Sequence, residues 1–319
     1  MSIRQYYKSR ARLNNQAFPV QPNGASLNWN KNHMIPFFAG NFWQVNYIEG
    51  LQTPSFDVNF VLLDGEPANC PLHPVSGYLL DRFITRSDDF SHDVTAFSTA
   101  DGDGESGTNY VCDAYLKLGF PGVKGNSFMI SGSKGDDVRM SANCMIYSEN
   151  PANSIKKSIE SYSSADYPTF TGNPIRFQAL KFFKNGSCID NIVSFQLTYS
   201  NNLVADLSMA CGQTAYNDGT SATNELANVY QNPLPIDVNA SQPSCALSLM
   251  MQTQHADNIQ TGDYLDIHII QGNITTQIRC SRLVIDTQNS VSIGAGRQMR
   301  PLNCTVVGID NDTPPLIIS

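Results

Sequence analysis

Four landmarks recur in the same order in the two parts of this chain, first between about Pro36 and Ser148 and again between about Pro174 and Gly308. Pro36 opens the aromatic run PFFAGNFWQVNY, and Ser55 follows with the alternating strand SFDVNF. Pro174 opens PIRFQALKFF, and Ser194 follows with SFQLTY. A short helical pattern comes next in each part, then a cysteine-led strand, CDAYLKL from Cys112 and CSRLVID from Cys280. An Asn-Cys pair opens the closing apolar strand, NCMIYS from Asn143 and NCTVVG from Asn303. The offsets between partners are 139, 168 and 160 residues for Ser55/Ser194, Cys112/Cys280 and Asn143/Asn303, which places an insertion in the middle of the second copy. A duplicated chain is limited to folds whose unit can be built twice and packed against its own copy.

The unit is β-rich. Asp (22) far outnumbers Glu (6), Asn is abundant, and the good helix formers Glu and Lys are scarce, so strand ends and turns are well supplied while helices are not. At 319 residues the chain suits two domains, which together bury roughly three quarters of the unfolded surface. The expected fold is all-β with minor α: two tandem antiparallel β-sandwich or barrel domains, each with one short helix, behind an extended N-terminal arm.

Residues 1–35 are polar and lack clear periodicity, which reads as an arm ordered against a partner or its own domain. Residues 36–150 form the first domain, with strands expected at Phe42 to Ile48, Phe56 to Leu63, Tyr110 to Leu118, Phe128 to Ser131 and Met145 to Tyr147. Val75, Leu79 and Phe83 follow Pro74 at helical spacing. Residues 151–168 are a Ser-rich linker with helical turns around Ile155 to Ile159. The second domain, 169–319, opens with a hairpin of Phe177 to Phe183 and Ile189 to Thr198 around the turn Lys184-Asn185-Gly186-Ser187. A helix is expected in TNELANVY from Thr223. Strands follow at Ala246 to Thr253, Tyr264 to Gln271, Thr276 to Asp286, Ser290 to Ile293 and Thr305 to Ile309, and the apolar tail TPPLIIS is expected to dock.

A formal charge of −8 argues against gripping nucleic acid, because Lys and Arg neutralising phosphate supply most of such affinity. No stretch approaches the roughly 18 apolar residues of a membrane span, and the N-terminus has no apolar signal region, so a soluble protein made in the cytosol is expected. The eight cysteines (Cys70, Cys112, Cys144, Cys188, Cys211, Cys245, Cys280, Cys304) are scattered, form no CxxC pair and mostly sit in apolar strand patterns, which predicts reduced, buried thiols.

Motifs that carry chemistry are weak here. DGDGES at Asp101 has alternating carboxylates, but the sixth and twelfth positions of a calcium loop are Ser106 and Cys112 in place of Gly and Glu, so a solvated acidic loop is the plainer reading. Ser131-Gly132-Ser133-Lys134 matches the Ser-x-x-Lys spacing of some acyl enzymes but lies in a Gly-rich turn, not on a helix face. The five histidines show no metal spacing. These absences predict no enzyme, no cofactor and no metal.

The order of elements resembles the tail tube proteins of long-tailed bacteriophages in their tandem-domain form. The likeness rests on FKNGSCIDNIVSFQLTYSNNL from Phe183 to Leu203, on the short helix of each half, and on the cysteine-led and closing strands, and it covers about Pro36 to Asp310. The resemblance implies a virion structural protein made in the host cytoplasm, whose inner sheet continues around a ring. Rings stack into a tube, joined to neighbouring tail proteins, and DNA transits the lumen without specific binding or any membrane contact. Each half would fill one place of a sixfold wall, giving homotrimeric, pseudo-hexameric rings. Asp101, Asp103 and Glu105 are the candidate lumen-facing acidic loop. Alternatives are another phage ring or decoration protein (distal tail, connector or capsid cement), a virion carbohydrate- or receptor-binding module with Trp43 on an aromatic platform, and a polysaccharide-acting enzyme using paired carboxylates.

Overall fold

The computed structural model describes residues 10–13, 16–18, 20–28, 33–34, 48–49, 53–64, 110–112, 117–120, 122–147, 156–158, 172–206, 235, 237–252, 258–271, 274–288, 299–310 and 313–319. The protein is all-β, with antiparallel pairing throughout these residues. The first half contributes β1 (Arg10–Leu13), β2 (Gln16–Phe18), β3 (Val20–Asn28), β4 (His33–Met34), β5 (Ile48–Glu49), β6 (Ser55–Val61), β7 (Tyr110–Cys112), β8 (Lys117–Gly119), β9 (Gly122–Ser133), β10 (Arg139–Tyr147) and β11 (Lys156–Ser158). The second contributes β12 (Leu180–Lys184), β13 (Ser187–Ile189), β14 (Ile192–Ser200), β15 (Leu203–Asp206), β16 (Asp237–Ala240), β17 (Ser244–Gln252), β18 (Leu265–Gln271), β19 (Ile274–Cys280), β20 (Arg282–Gln288), β21 (Met299–Val307) and β22 (Leu316–Ile318).

Each half repeats the other strand for strand. The halves share one eight-stranded sheet in the order β20-β21-β17-β14-β9-β10-β6-β3, so β3-β6-β10-β9 and β14-β17-β21-β20 follow the same path. The remaining five-stranded sheets are β11-β8-β7-β1-β2 and β22-β19-β18-β12-β13, again one path, and the short pairs β4-β5 and β15-β16 match. Register makes the match residue-specific. Cys144 faces Phe56 and Cys304 faces Leu247, while Leu27 faces Phe56 and Leu197 faces Leu247. A β-bulge falls opposite the Asn-Cys pair in both halves, with Asn126 the extra residue against Asn143/Cys144 and Asp286 the extra residue against Asn303/Cys304. A bulge adds one unpaired residue and bends its strand, so a shared bulge is a shared bend.

Of the sequence landmarks, the Asn143/Asn303 match is therefore structural and the other two are displaced. β6, which starts at Ser55, corresponds to β17 and not to the strand of Ser194. The strand after Cys280 is β20, the counterpart of β9, whereas Cys112 ends β7, the counterpart of β18.

Other expectations shift in detail. Within residues 1–35, read as an arm, β1 pairs with β7 and β3 with β6 of the same half. The run Tyr110 to Leu118 is a hairpin of β7 and β8, and Thr276 to Asp286 splits at Ser281 between two sheets. The helical turns expected around Ile155 to Ile159 are replaced by β11, which pairs with β8. The hairpin turn is as expected: Asn185 and Gly186 both take positive φ (48° and 81°), the requirement of a tight two-residue hairpin, and Lys184 faces Ser187. The strand after it is shorter, because the chain leaves β13 at Asn191 (φ 71°) and begins β14 in the other sheet. The tail docks as β22 on β19. The helices expected after Pro74 and Thr223, the aromatic strand from Phe42, the strand at Ser290 and the loop carrying Asp101, Asp103 and Glu105 lie outside the described residues.

One core spans both halves. Period-2 alternation sends Phe56, Val58 and Phe60 of β6, Phe195, Leu197 and Tyr199 of β14, and Leu247, Leu249 and Met251 of β17 to the buried side of the shared sheet. In the second half the opposing layer is Leu180, Phe182, Ile267, Ile269 and Ile278. At the junction Phe177, Phe182 and Phe195 meet with ring centroids 5.4–6.2 Å apart, beside Gly132, where a Cβ would stand 3.2 Å from both Phe177 and Phe195.

Candidate functional site

The same alternation that fills the core builds a distinct surface on the other side of the eight-stranded sheet. Ser127, Met129, Ser131 and Ser133 of β9, Ser194, Gln196, Thr198 and Ser200 of β14, and Ser244, Ala246, Ser248 and Met250 of β17 lie on it, exposed or half-buried. No charged residue occurs among these positions of the three central strands. On this side charge lies on the flanking strands, at Asp57, Arg139, Arg282 and Asp286, and at the buried Lys124 near the start of β9. A groove of about 480 Å³ runs over the junction of the halves, lined by Ser131, Ser194, Gln196, Ser248 and Asn303, with Asp136, Asp137 and Arg139 at one end.

Hydrogen bonds along this face join side chains across strands. Asn143 Nδ2 donates to Asp57 Oδ1 (2.7 Å), Asn126 Nδ2 donates to Asn143 Oδ1 (2.9 Å), and Ser248 Oγ donates to Asn303 Oδ1 (2.8 Å). Thr305 Oγ1 donates to Asp286 Oδ2 (2.8 Å). Two of these bonds join amides and hydroxyls alone, and the other two end on the flanking carboxylates of Asp57 and Asp286.

The seam between the halves is the pairing of β9 with β14, Ser133 to Ser127 facing Ser194 to Ser200. At one end, Val138 N–H donates to Ile175 O (2.8 Å), Phe177 N–H to Asp136 O (3.0 Å) and Lys134 N–H to Val193 O (2.7 Å). At the other, the β15-β16 pair reaches over the first half. Leu203 N–H donates to Asn126 Oδ1 (3.0 Å), Asn201 N–H to Asn126 O (2.7 Å), and the buried Asn201 Nδ2 to Gly125 O (2.9 Å). Lys124, 3% exposed, donates from Nζ to Val238 O (3.0 Å) and lies 4.9 Å from the Tyr147 ring centre.

Among the described residues, no group of three His, Cys, Asp or Glu is placed to hold a metal ion, and no helix is long and apolar enough to cross a membrane. Ser131 and Ser133 of the Ser-x-x-Lys match sit at the end of β9 with Lys134 just after it, and Ser133 Oγ donates to Asp136 Oδ2 (2.5 Å). His268 lies on β18 with its ring 4.5 Å from that of Phe183. The thiols of Cys144, Cys245, Cys280 and Cys304 are free and buried, and that of Cys188 is free and exposed. Burial pushes the four buried thiols up, Cys304 to about 11 with help from the Asp286 charge, which makes them inert at neutral pH.

The uncharged face was half legible in the sequence. The alternation SFQLTYS marks one polar side of one strand, but nothing in it signals that strands of both halves would share a sheet. No family model and no curated protein sequence matches the chain.

Proposed function

We propose that this protein is a ring subunit of a virion tail tube, with the polar face of the eight-stranded sheet turned to the lumen. The observation that carries the reading is the shared sheet: two equivalent four-strand units joined edge to edge, ending at β20 on one side and β3 on the other. An edge strand leaves a row of N–H and C=O groups without partners, and a cyclic assembly pairs each edge with the next copy's. The covalent seam is one worked instance of such a contact, since β9 and β14 are the counterparts of β20 and β3.

Three copies would set 24 strands around an axis. At about 4.8 Å between strands and a tilt of about 40°, such a wall is about 50 Å across between backbones, wide enough for a DNA duplex after side chains are allowed for. A face of hydroxyls and amides lets phosphates pass without the Lys and Arg contacts that would hold them. The reading turns the neutral groups of the sheet to the lumen, with the loop of Asp101, Asp103 and Glu105 outside the described residues, and it assigns the protein no reaction.

The test is sedimentation at rising concentration followed by imaging without imposed symmetry. Rings of three chains with six similar wall units support the reading. A strict monomer at high concentration, or a ring of six whole chains each giving one unit to the wall, would refute it.

A further inference from the structure

We infer that one copy receives the next by repeating its own internal seam, with the Asp286 carboxylate of one chain accepting the backbone N–H of His33 of the next. The inference rests on the ring reading and adds the register and the contact that hold the ring together.

The assignment follows from the duplication. In the third and fourth strands of the shared-sheet unit, partners stand 160 residues apart: Asn143 with Asn303, Ser127 with Thr287, and the bulged Asn126 with Asp286. In the first strand they stand 170 apart, as Leu27 with Leu197 and Ser26 with Gln196. The spacing of 170 holds into the short pair that follows, where Leu203 opens β15 and His33 opens β4. Across that pair, Leu203 faces Ala240 and His33 faces Glu49, and Ala240 and Glu49 are 191 apart, the spacing of Leu247 from Phe56 in the next strand. The β4-β5 pair is therefore to the first half what β15-β16 is to the second.

Within one chain, β15-β16 reaches across the β9-β14 seam and is held by the bulged residue: Leu203 N–H donates to Asn126 Oδ1 at 3.0 Å. At the outer edge of β20, Leu283 is bonded to Gly262 and Asp263 and the Ile285 N–H to Thr261 Oγ1 of the same chain; Asp286 follows as the exposed, bulged residue, and the stretch from Thr287 on matches the part of β9 that β14 covers. Its Oδ2 accepts from Thr305 Oγ1, and its Oδ1 has no hydrogen bond among the described residues. When β3 of a second copy lies beside β20 as β14 lies beside β9, the incoming β4 takes the place of β15 and brings the His33 N–H to that carboxylate. The seam between copies then differs from the seam within a chain in two ways. An ionised acceptor replaces a neutral amide, which strengthens the hydrogen bond, and Val284 stands where Lys124 reaches the carbonyl of Val238.

The test joins the two positions covalently. In a Cys188→Ser background, Asp286→Cys and His33→Cys chains are made singly and together and treated with a short bismaleimide, with an Asn126→Cys/Leu203→Cys chain as the internal-seam control and each single variant as the control for native thiols. Mixed single variants should give a cross-linked dimer and nothing larger, and the double variant a ladder that ends at the closed ring. A second measurement uses uncoupled chains: Asp286→Ala should weaken association about tenfold or more, while Asp286→Asn, which restores the residue of the internal seam, should keep it. Rings that form without the Asp286/His33 cross-link, or that assemble equally well with Asp286→Ala, overturn the assignment and leave the ring reading standing. Chains that never associate overturn both.

Discussion

Asn126 and Asp286 occupy the same place in the two halves, each bulged out of its strand opposite an Asn-Cys pair, yet only Asn126 has a strand of the other half beside it. Asn126 spends its amide on Asn143 and its carbonyl oxygen on Leu203, so every polar atom of that side chain is used inside the chain. Asp286 has one oxygen engaged by Thr305. The two sites differ by what a neighbour supplies, which is the basis for reading the β20 edge as unfinished.

If the polar face lines the lumen of the proposed ring, replacing Ser131, Ser194 and Ser248 together with Lys should leave ring assembly intact and slow DNA passage, because three cations per chain would bind phosphate. Each site lies on the open face, where substitutions usually change stability by less than about 0.5 kcal/mol. DNA release from particles built with the variant, compared with wild type, decides it. Unchanged release with normal assembly would put this face on the outside.

Asp266, 4% exposed, accepts from Arg279 Nε (2.7 Å) and Nη2 (3.0 Å) across β18 and β19, and Arg279 also lies 4.8 Å from the Tyr264 ring centre. Arg279→Met leaves the carboxylate buried without its partner and should cost about 2–4 kcal/mol of unfolding free energy, with Asp266→Asn on top recovering part of it. Denaturant titration of the two single variants and the double variant measures the coupling. Additive effects would show the pair to be independent.

Gly308 follows β21 just before the chain turns to β22, and a Cβ there would run into the Thr313 carbonyl oxygen. Gly308→Ala should therefore release β22 from β19, freeing the amides that bond Ser281 to Pro315 and Gln277 to Ser319. Hydrogen exchange at Ser281, Gln277 and Ser319 should rise while β9 and β14 stay protected.

The buried thiols tie stability to alkaline pH. Cys144, Cys245, Cys280 and Cys304 all have folded pKa values raised above the ordinary 9.0, so the folded state keeps protons that the unfolded chain releases. Their contribution is complete below pH 9 and is lost as pH rises from there toward the folded values, a loss that for Cys304 is complete near 11. Each thiol contributes up to about 1.4 kcal/mol per pH unit over that window. Unfolding free energy measured from pH 8 to 11 should fall, and less steeply in a Cys144→Ala/Cys245→Ala chain. Thiol counting at neutral pH should find Cys188 reactive and these four silent until denaturation.

What the sequence made legible is what alternation can report. SFDVNF shows Phe56, Val58 and Phe60 on one side, and they are core. Alternation also explains the errors, since any period-2 strand can be laid on any other, and Ser55 was matched to Ser194 when the structural partner of its strand is β17. The Asn-Cys match survived because that dipeptide sits opposite a bulge, a local irregularity that fixes position where alternation cannot. The break at Ser281 was hidden for a different reason. Its pattern runs on unbroken, and only the tail, with Pro314 O accepting from Ser281 Oγ (2.7 Å) and Pro315 O from Ser281 N–H (2.9 Å), shows where the chain changes sheets. Sheet sharing between halves rests on pairing 60 or more residues apart in sequence, as Ser133 with Ser194, which no local window contains.

The shared sheet also has a consequence for synthesis. β9 is finished at Ser133, but the strand that covers its free side is not complete until Ser200. At about 5–20 residues per second those 67 residues take about 3–13 s, during which the nascent first half carries the Ser127–Ser133 edge bare. Polyribosomes crowd such edges together, and two neighbouring nascent chains could pair through β9 before either has made β14. Having its own second half next in line lets each chain cap itself before a stranger can, so the order of the duplication along the messenger serves as an internal chaperone.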